Sequence, residues 1–209
     1  MAKQLLRSDI VPIKISTQQI NESKTNNNGK LILYNIILQR ADAENANGRI
    51  YPKHILLREA NRYDTNCVKV GNALGELDHP ETSTVSLERG ALNIIRMFWK
   101  GDDLMGDVEI LTHLPKGQIL EGYLKHGITI GISSRGLGSV KESAEHGVVE
   151  VQDDYEILSF DAVSTPSTQG AYMRLAEGKN QPTSFNLQYI NAIVDINYMI
   201  DEILFSNKK

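Results

Sequence analysis

Three stretches carry side chains that could do acyl-transfer chemistry together. Ser133 and Ser134 sit in the stretch GITIGISSRGLGS (127–139), where Ile128, Ile130 and Ile132 alternate with small residues in the period-2 pattern of a strand. A hydroxyl at the end of a rigid strand, beside glycine-rich backbone able to turn N–H groups inward, suits a nucleophile next to an oxyanion site. His79 lies upstream in GELDHP (75–80), where Pro80 biases its backbone toward an extended form and fixes the base of the ring. Asp161 stands between Phe160 and Ala162 in an apolar run. If buried there it needs a partner, and an imidazole that becomes positive is a suitable one. The same segment supports a second chemistry, with Glu76, Asp78 and His79 as ligands of a hydrolytic metal. His113, His126 and His146 have no ligand spacing that would complete such a site, so the general-base reading of His79 ranks above it.

Positioning these groups requires a mainly β framework. KLILYNIILQRA (30–41) predicts a central strand buried on both faces, and the run 91–111 predicts a hairpin turning at Gly101-Asp102-Asp103. Trp99 and Phe98 are adjacent there, so one faces the core and the other a second packed surface. PKHILLREANRY predicts a helix opened by Pro52, with Ile55, Leu56 and Ala60 inward and Glu59 and Arg62 outward. His54, in its first turn, is a surface residue on this pattern. PKGQILEGYLKHG predicts a second helix, with Ile119, Leu120, Tyr123 and Leu124 inward and Gly127 as its C-terminal cap. GVVEVQ and YEILSFDAVS supply two later strands.

The ends differ from the middle. Residues 1–29 predict a short strand through Ile10, Val11, Ile13 and Ile15 and then a flexible polar arm, TQQINESKTNNNGK. Residues 171–209 predict a polar linker and an amphipathic helix, with Leu187, Ile190, Ile193, Val194, Ile200 and Leu204 near one face. The 209 residues carry a net charge of −4 and no Lys/Arg run interleaved with aromatics, which argues against direct nucleic-acid binding. The single cysteine, Cys67, permits no internal disulfide and fits a reducing compartment. No stretch has signal-peptide or membrane-spanning length, so a soluble cytoplasmic protein without membrane contact is expected.

GELDHP, GISSRGLGS (131–139) and FDAVSTPS (160–167), in that order, resemble the prohead core proteases of large tailed bacteriophages. NGRIYPKHIL (47–56) and FWKGDDLMGDVEIL (98–111) extend the resemblance over roughly residues 30–167. It implies an α+β, mainly β fold: an antiparallel barrel wrapped by helices, similar to the herpesvirus assemblins, in a protease domain spanning residues 30–170. Carried over, His79 becomes the general base, Ser133 the nucleophile with Ser134 as its rival, and Asp161 the third member with Asp78 next in line. Backbone N–H groups in Arg135–Gly138, those of Arg135 and Gly136 first, or the Arg135 side chain itself, become candidates for the oxyanion site, and an ion pair is the other role open to Arg135. The implied function is a serine endopeptidase without cofactor or metal, acting in the host cytoplasm inside the immature phage head. Its implied partners are scaffold or core proteins and the major capsid protein, with homo-oligomerisation left open. The family's preference for a Leu or Ile two residues before a scissile Glu marks Glu177, Glu22 and Glu202 as self-cleavage sites. A catalytically silent structural β-barrel protein and the metal-dependent hydrolase are the alternatives.

Overall fold

The structure is a computed structural model that describes residues 15–80, 82–142, 148–168, 171 and 173. Its centre is the expected hairpin: β4 (Gly90–Lys100) returns through Gly101, at φ 61°, into β5 (Asp103–Ile110). β1 (Leu31–Arg40) pairs antiparallel with β5, and the short β3 (Leu74–Glu76) pairs with β4, giving the order β1-β5-β4-β3. β1 is therefore an edge of this ladder rather than its centre, although seven of its first nine residues are buried. Its β-branched and leucine side chains earn that burial on both faces, and a bulge at Asn35, φ 57°, lets both faces turn inward. The bulge is locked by Asp107 of β5, which accepts the Asn35 N–H at 2.9 Å. Burial pushes the Asp107 carboxyl above the usual carboxylate range, against the pull of that N–H and of Arg96. Trp99 packs against the main core and Phe98 against Ile37, Met105 and Ala171, so the two aromatics divide between surfaces as the alternation requires.

The helices depart from expectation in three places. Residues 17–26, expected as a flexible arm, form α1 (Thr17–Asn26). Ser16 and Gln19 cap each other's backbone in a capping box, and Ile20 and Ser23 are buried against the sheet, so a cap and one apolar anchor outweigh the polar composition. Of the strand expected before it, only Ile15 is among the described residues, and it is buried. In α2 (Lys53–Tyr63) Glu59 is buried rather than outward. It accepts hydrogen bonds from the Ile157 N–H and from Arg62 Nε, so a carboxylate stitches the helix to the sheet. In α3 (Pro115–Lys125) Leu120 and Leu124 are buried but Ile119 and Tyr123 are exposed. The inward stripe is narrower than the sequence suggests and also contains Gly117 and Glu121. Gly127, at φ 69°, ends the turn as expected.

β6 (Gly131–Leu137) and β9 (Glu156–Val163) form a two-stranded antiparallel ladder. β2 (Arg49–Ile50), β8 (Val149–Val151) and β7 (Val140–Glu142) form a third small sheet in that order. Just beyond β3, Leu77 forms an isolated parallel bridge to Ala162 of β9, and the Asp78 N–H donates to the Ala162 carbonyl at 2.8 Å. On the other edge of β6, the Ile132 N–H donates to the Ala171 carbonyl and the Met173 N–H to the Ile130 carbonyl. The fold is thus mixed α+β and mainly strand, but among the described residues the ladders do not close into one barrel. All described residues belong to the first of two units, 1–176; the second, 177–209, with the expected amphipathic helix, lies outside them. Among the described residues no helix is long and apolar enough to cross a membrane.

Candidate active site

The β6–β9 register decides which serine faces which partner. Ser133 stands opposite Asp161, Ser134 opposite Phe160 and Arg135 opposite Ser159. Opposed residues of an antiparallel pair share a face, and alternate residues along a strand do too. Ser133, Arg135, Ser159 and Asp161 therefore lie on one face, and Ser134 on the other. Ser133 is 5% exposed, so its hydroxyl is recessed and not solvent-facing as a surface nucleophile would be. Its Oγ lies 3.4 Å from the Oγ of Ser167, on the segment that follows β9.

Asp161 is fully buried and gathers four partners. His79 Nδ1 lies 2.8 Å from Oδ2, the Glu76 N–H donates to Oδ1 at 2.9 Å, Ser159 Oγ donates to Oδ1 at 3.0 Å, and Arg135 Nε donates to Oδ2 at 3.0 Å. A carboxylate accepts, so Nδ1 is the nitrogen that donates, and in the neutral tautomer this selects, Nε2 is the one with a lone pair. The histidine side chain remains 37% exposed, so Nε2 is open to a substrate. Among the described residues no hydrogen bond joins His79 to Ser133 or Ser134. The two converge instead on Asp161, one by its bond and the other by strand register.

The local sequence explains how His79 gets there. A Cβ on Gly75 would lie 2.0 Å from the Phe160 carbonyl oxygen, so only glycine lets β3 press onto β9. Asp78 then adopts φ 64°, an uncommon angle that Asp tolerates better than most residues, and the chain doubles back to set His79 over Asp161. Asp78 itself is exposed, and no hydrogen bond of its side chain reaches His79 among the described residues.

Glu76 and Arg135 take roles the metal and oxyanion readings do not anticipate. The fully buried Glu76 carboxylate accepts from Arg89 Nε at 2.9 Å and from the Ser86 N–H, and lies 3.6 Å from Arg135 Nη2. It closes the loop that carries His79 and is not free to ligate. Among the described residues no group of three or more His, Cys, Asp or Glu side chains could hold a metal ion. Arg135, 9% exposed, spends its donors on Asp161, Ser159 and the Thr82 carbonyl, the last at 2.6 Å. Of its two expected roles the structure has the ion pair. Gly136 is not a turn residue: a Cβ there would meet the Tyr155 ring at 2.5 Å, so it makes room for packing. Three residues beyond Ser133 on an extended strand, it sits about 10 Å along the chain.

Ser159, Ser167, Thr82 and Arg89 were not legible as site residues. Ser159 had a signal in its two-residue spacing from Asp161 on a strand, and Ser167 in closing the FDAVSTPS motif. Glu22 lies on the exposed side of α1. Glu177 and Glu202 fall outside the described residues. His54 is an exposed residue 3.7 Å from Asp153, as expected of a surface position.

A sequence profile of the family described as prohead core protein serine protease matches residues 8–181. The prohead core protein protease of Enterobacteria phage T4 is 36% identical over 140 residues, 66% of this chain. The chain spans 65% of the length of that curated relative. A solved structure, that of the bacteriophage T4 capsid assembly protease gp21, is similar with a TM-score of 0.60 at 34% identity, covering 64% of this chain and 81% of that one. The profile covers His79, both serines and Asp161 in a single span. The chain belongs to the prohead core protein serine protease family.

Proposed function

We propose that this chain is a serine endopeptidase of phage head maturation, with Ser133 as nucleophile, His79 as general base and Asp161 as the acid that orients the base. The carrying observation is the buried Asp161 carboxylate, bonded to His79 Nδ1 at 2.8 Å and register-paired with Ser133. A serine hydroxyl is a weak nucleophile at neutral pH, so Nε2 of His79 must take its proton as Oγ attacks the scissile carbonyl. Asp161 stabilises the imidazolium that forms, and His79 then returns the proton to the leaving amine. The approach of His79 to Ser133 tightens when substrate is bound, as catalytic hydrogen bonds commonly do.

The relatives' names, prohead core and capsid assembly protease, support action on phage core and capsid proteins inside the immature head. In the same reading the ladders are parts of an assemblin-like barrel, a view supported by the Leu77–Ala162 bridge and by the bonds to Ala171 and Met173 on the outer edge of β6. Cleavage follows Glu in Leu/Ile-x-Glu, and the chain also cuts itself. A protease needs an extended segment, and Glu22 sits within helix α1, so Glu177 is cut before Glu22. Co-expression of the parent or the Ser133→Ala chain with scaffold, followed by mass measurement of all products, tests the proposal. Scaffold fragments ending in Glu with the parent alone are expected; identical fragments from both chains would overturn it.

A further inference from the structure

We infer that Arg135 is a positioning residue of this site, holding the catalytic acid and the histidine-bearing loop in one grip from the nucleophile's own strand. The inference rests on the serine-protease reading above. Three observations carry it. Arg135 is only two residues from Ser133 on β6, so it points to the same face. Its Nε reaches Asp161 Oδ2 at 3.0 Å and its Nη2 reaches Asp161 Oδ1 at 3.4 Å, a fork over both carboxylate oxygens. Its Nη1 donates to the Thr82 carbonyl at 2.6 Å, on the loop three residues beyond His79. One planar side chain thus ties together the strand bearing the nucleophile, the strand bearing the acid and the loop bearing the base.

Arg135 is the permanent cation paired with Asp161 among the described residues. The neighbouring carboxylates do not draw it away: Glu76, on the same segment as His79, is paired with Arg89 and lies 3.6 Å from Arg135, and Asp78 is exposed. Arg135 therefore fixes the carboxylate against which the His79 ring rests, while its bond to Thr82 ties down the loop that carries the ring.

The test is the NMR signal of the His79 Nδ1–H proton in the full-length Ser133→Ala chain, with and without Arg135→Lys or Arg135→Gln, together with steady-state cleavage of a Leu-x-Glu peptide in the Ser133 background. Arg135→Lys keeps the charge but lacks the planar fork. It should shift or broaden the Nδ1–H signal and lower kcat about tenfold or more, with KM little changed. Arg135→Gln, which loses the charge as well, should lower kcat at least as far. An unchanged kcat in folded Arg135→Lys or Arg135→Gln, or an Nδ1–H signal that keeps its position and width in both, would overturn the inference. If Arg135→Gln does not fold, Arg135→Lys decides by the same two readouts. The NMR signal is read without catalysis, so it separates this inference from the protease reading, which fails on its own if Ser133→Ala still cleaves.

Discussion

The proposed choice between the two serines rests on one backbone fact, the register that sets Ser133 across from Asp161 and turns Ser134 toward the other face. A slip of one residue would exchange them, and nothing within SSRG fixes that register, because it is set by β9, more than twenty residues away. Sequence nominates the pair, and the proposal takes Ser133 on the strength of the pairing. Ser133→Ala should therefore abolish peptide cleavage, a loss of at least about a thousandfold in kcat, while Ser134→Ala stays within a few-fold of the parent. Steady-state kinetics on a Leu-x-Glu peptide distinguishes them, and the reverse order of losses would contradict the register argument. Asp161 was legible as a charge in an apolar strand, but its burden was not. It holds His79, the Glu76 backbone, Ser159 and Arg135 together. Asp161→Ala should accordingly lose stability as well as activity, about 3–5 kcal/mol by urea denaturation, because it strands a buried guanidinium. An Asp161→Ala chain as stable as the parent would show that the cluster contributes nothing to the fold.

At the scale of elements, the hairpin and the strand of β6 were legible because their alternation is strong and local. Helix α1 was missed because its anchor, Ile20, is a single apolar side chain among polar ones, and its cap is a reciprocal pair visible only as Ser16 and Gln19. The close approach of β3 to β9 was equally silent in sequence, since a glycine in GELDHP can serve many purposes. That approach makes Gly75→Ala a test of how His79 is delivered. The added methyl collides with backbone rather than with a flexible side chain, so a loss of roughly 1–3 kcal/mol is expected, with cleavage falling further than stability does. Wild-type kcat in a folded Gly75→Ala chain would mean that β3 need not sit on β9. The bulge of β1 gives a pH signature. Asp107 is held above the ordinary carboxylate range mainly by burial, so the native chain binds its proton more tightly than the unfolded chain. Its contribution is fully present below about pH 4, the unfolded value, and is lost as pH rises through the native value. Asp107→Asn lacks this loss. The stability difference between variant and parent should move in the variant's favour as pH rises from 4 toward 7, read from urea midpoints, and a flat difference would argue against a buried titrating carboxyl.

Across the whole molecule, residues far apart in sequence meet on one carboxylate: the histidine loop, the nucleophile strand and the acid strand each contribute to the site around Asp161. The three motifs were legible because their residue types are specific in combination, whereas the ladders that assemble them depend on long-range pairing that no local window contains. Under the proposed function, the folded elements also set the order of self-cleavage. Sites inside folded elements, such as Glu22, should be cut after Glu177, and a time course of intact masses should show the product ending at Glu177 before any product lacking the first 22 residues. The opposite order would mean that α1 opens readily. The most direct measurement of the central claim is covalent labelling of the full-length chain with a serine-directed phosphonate probe, followed by peptide mass mapping. The account predicts a single adduct on Ser133, absent in Ser133→Ala, strongly reduced in His79→Ala and retained in Ser134→Ala. An adduct on Ser134, or cleavage-competent protein that takes no label at all, would contradict it.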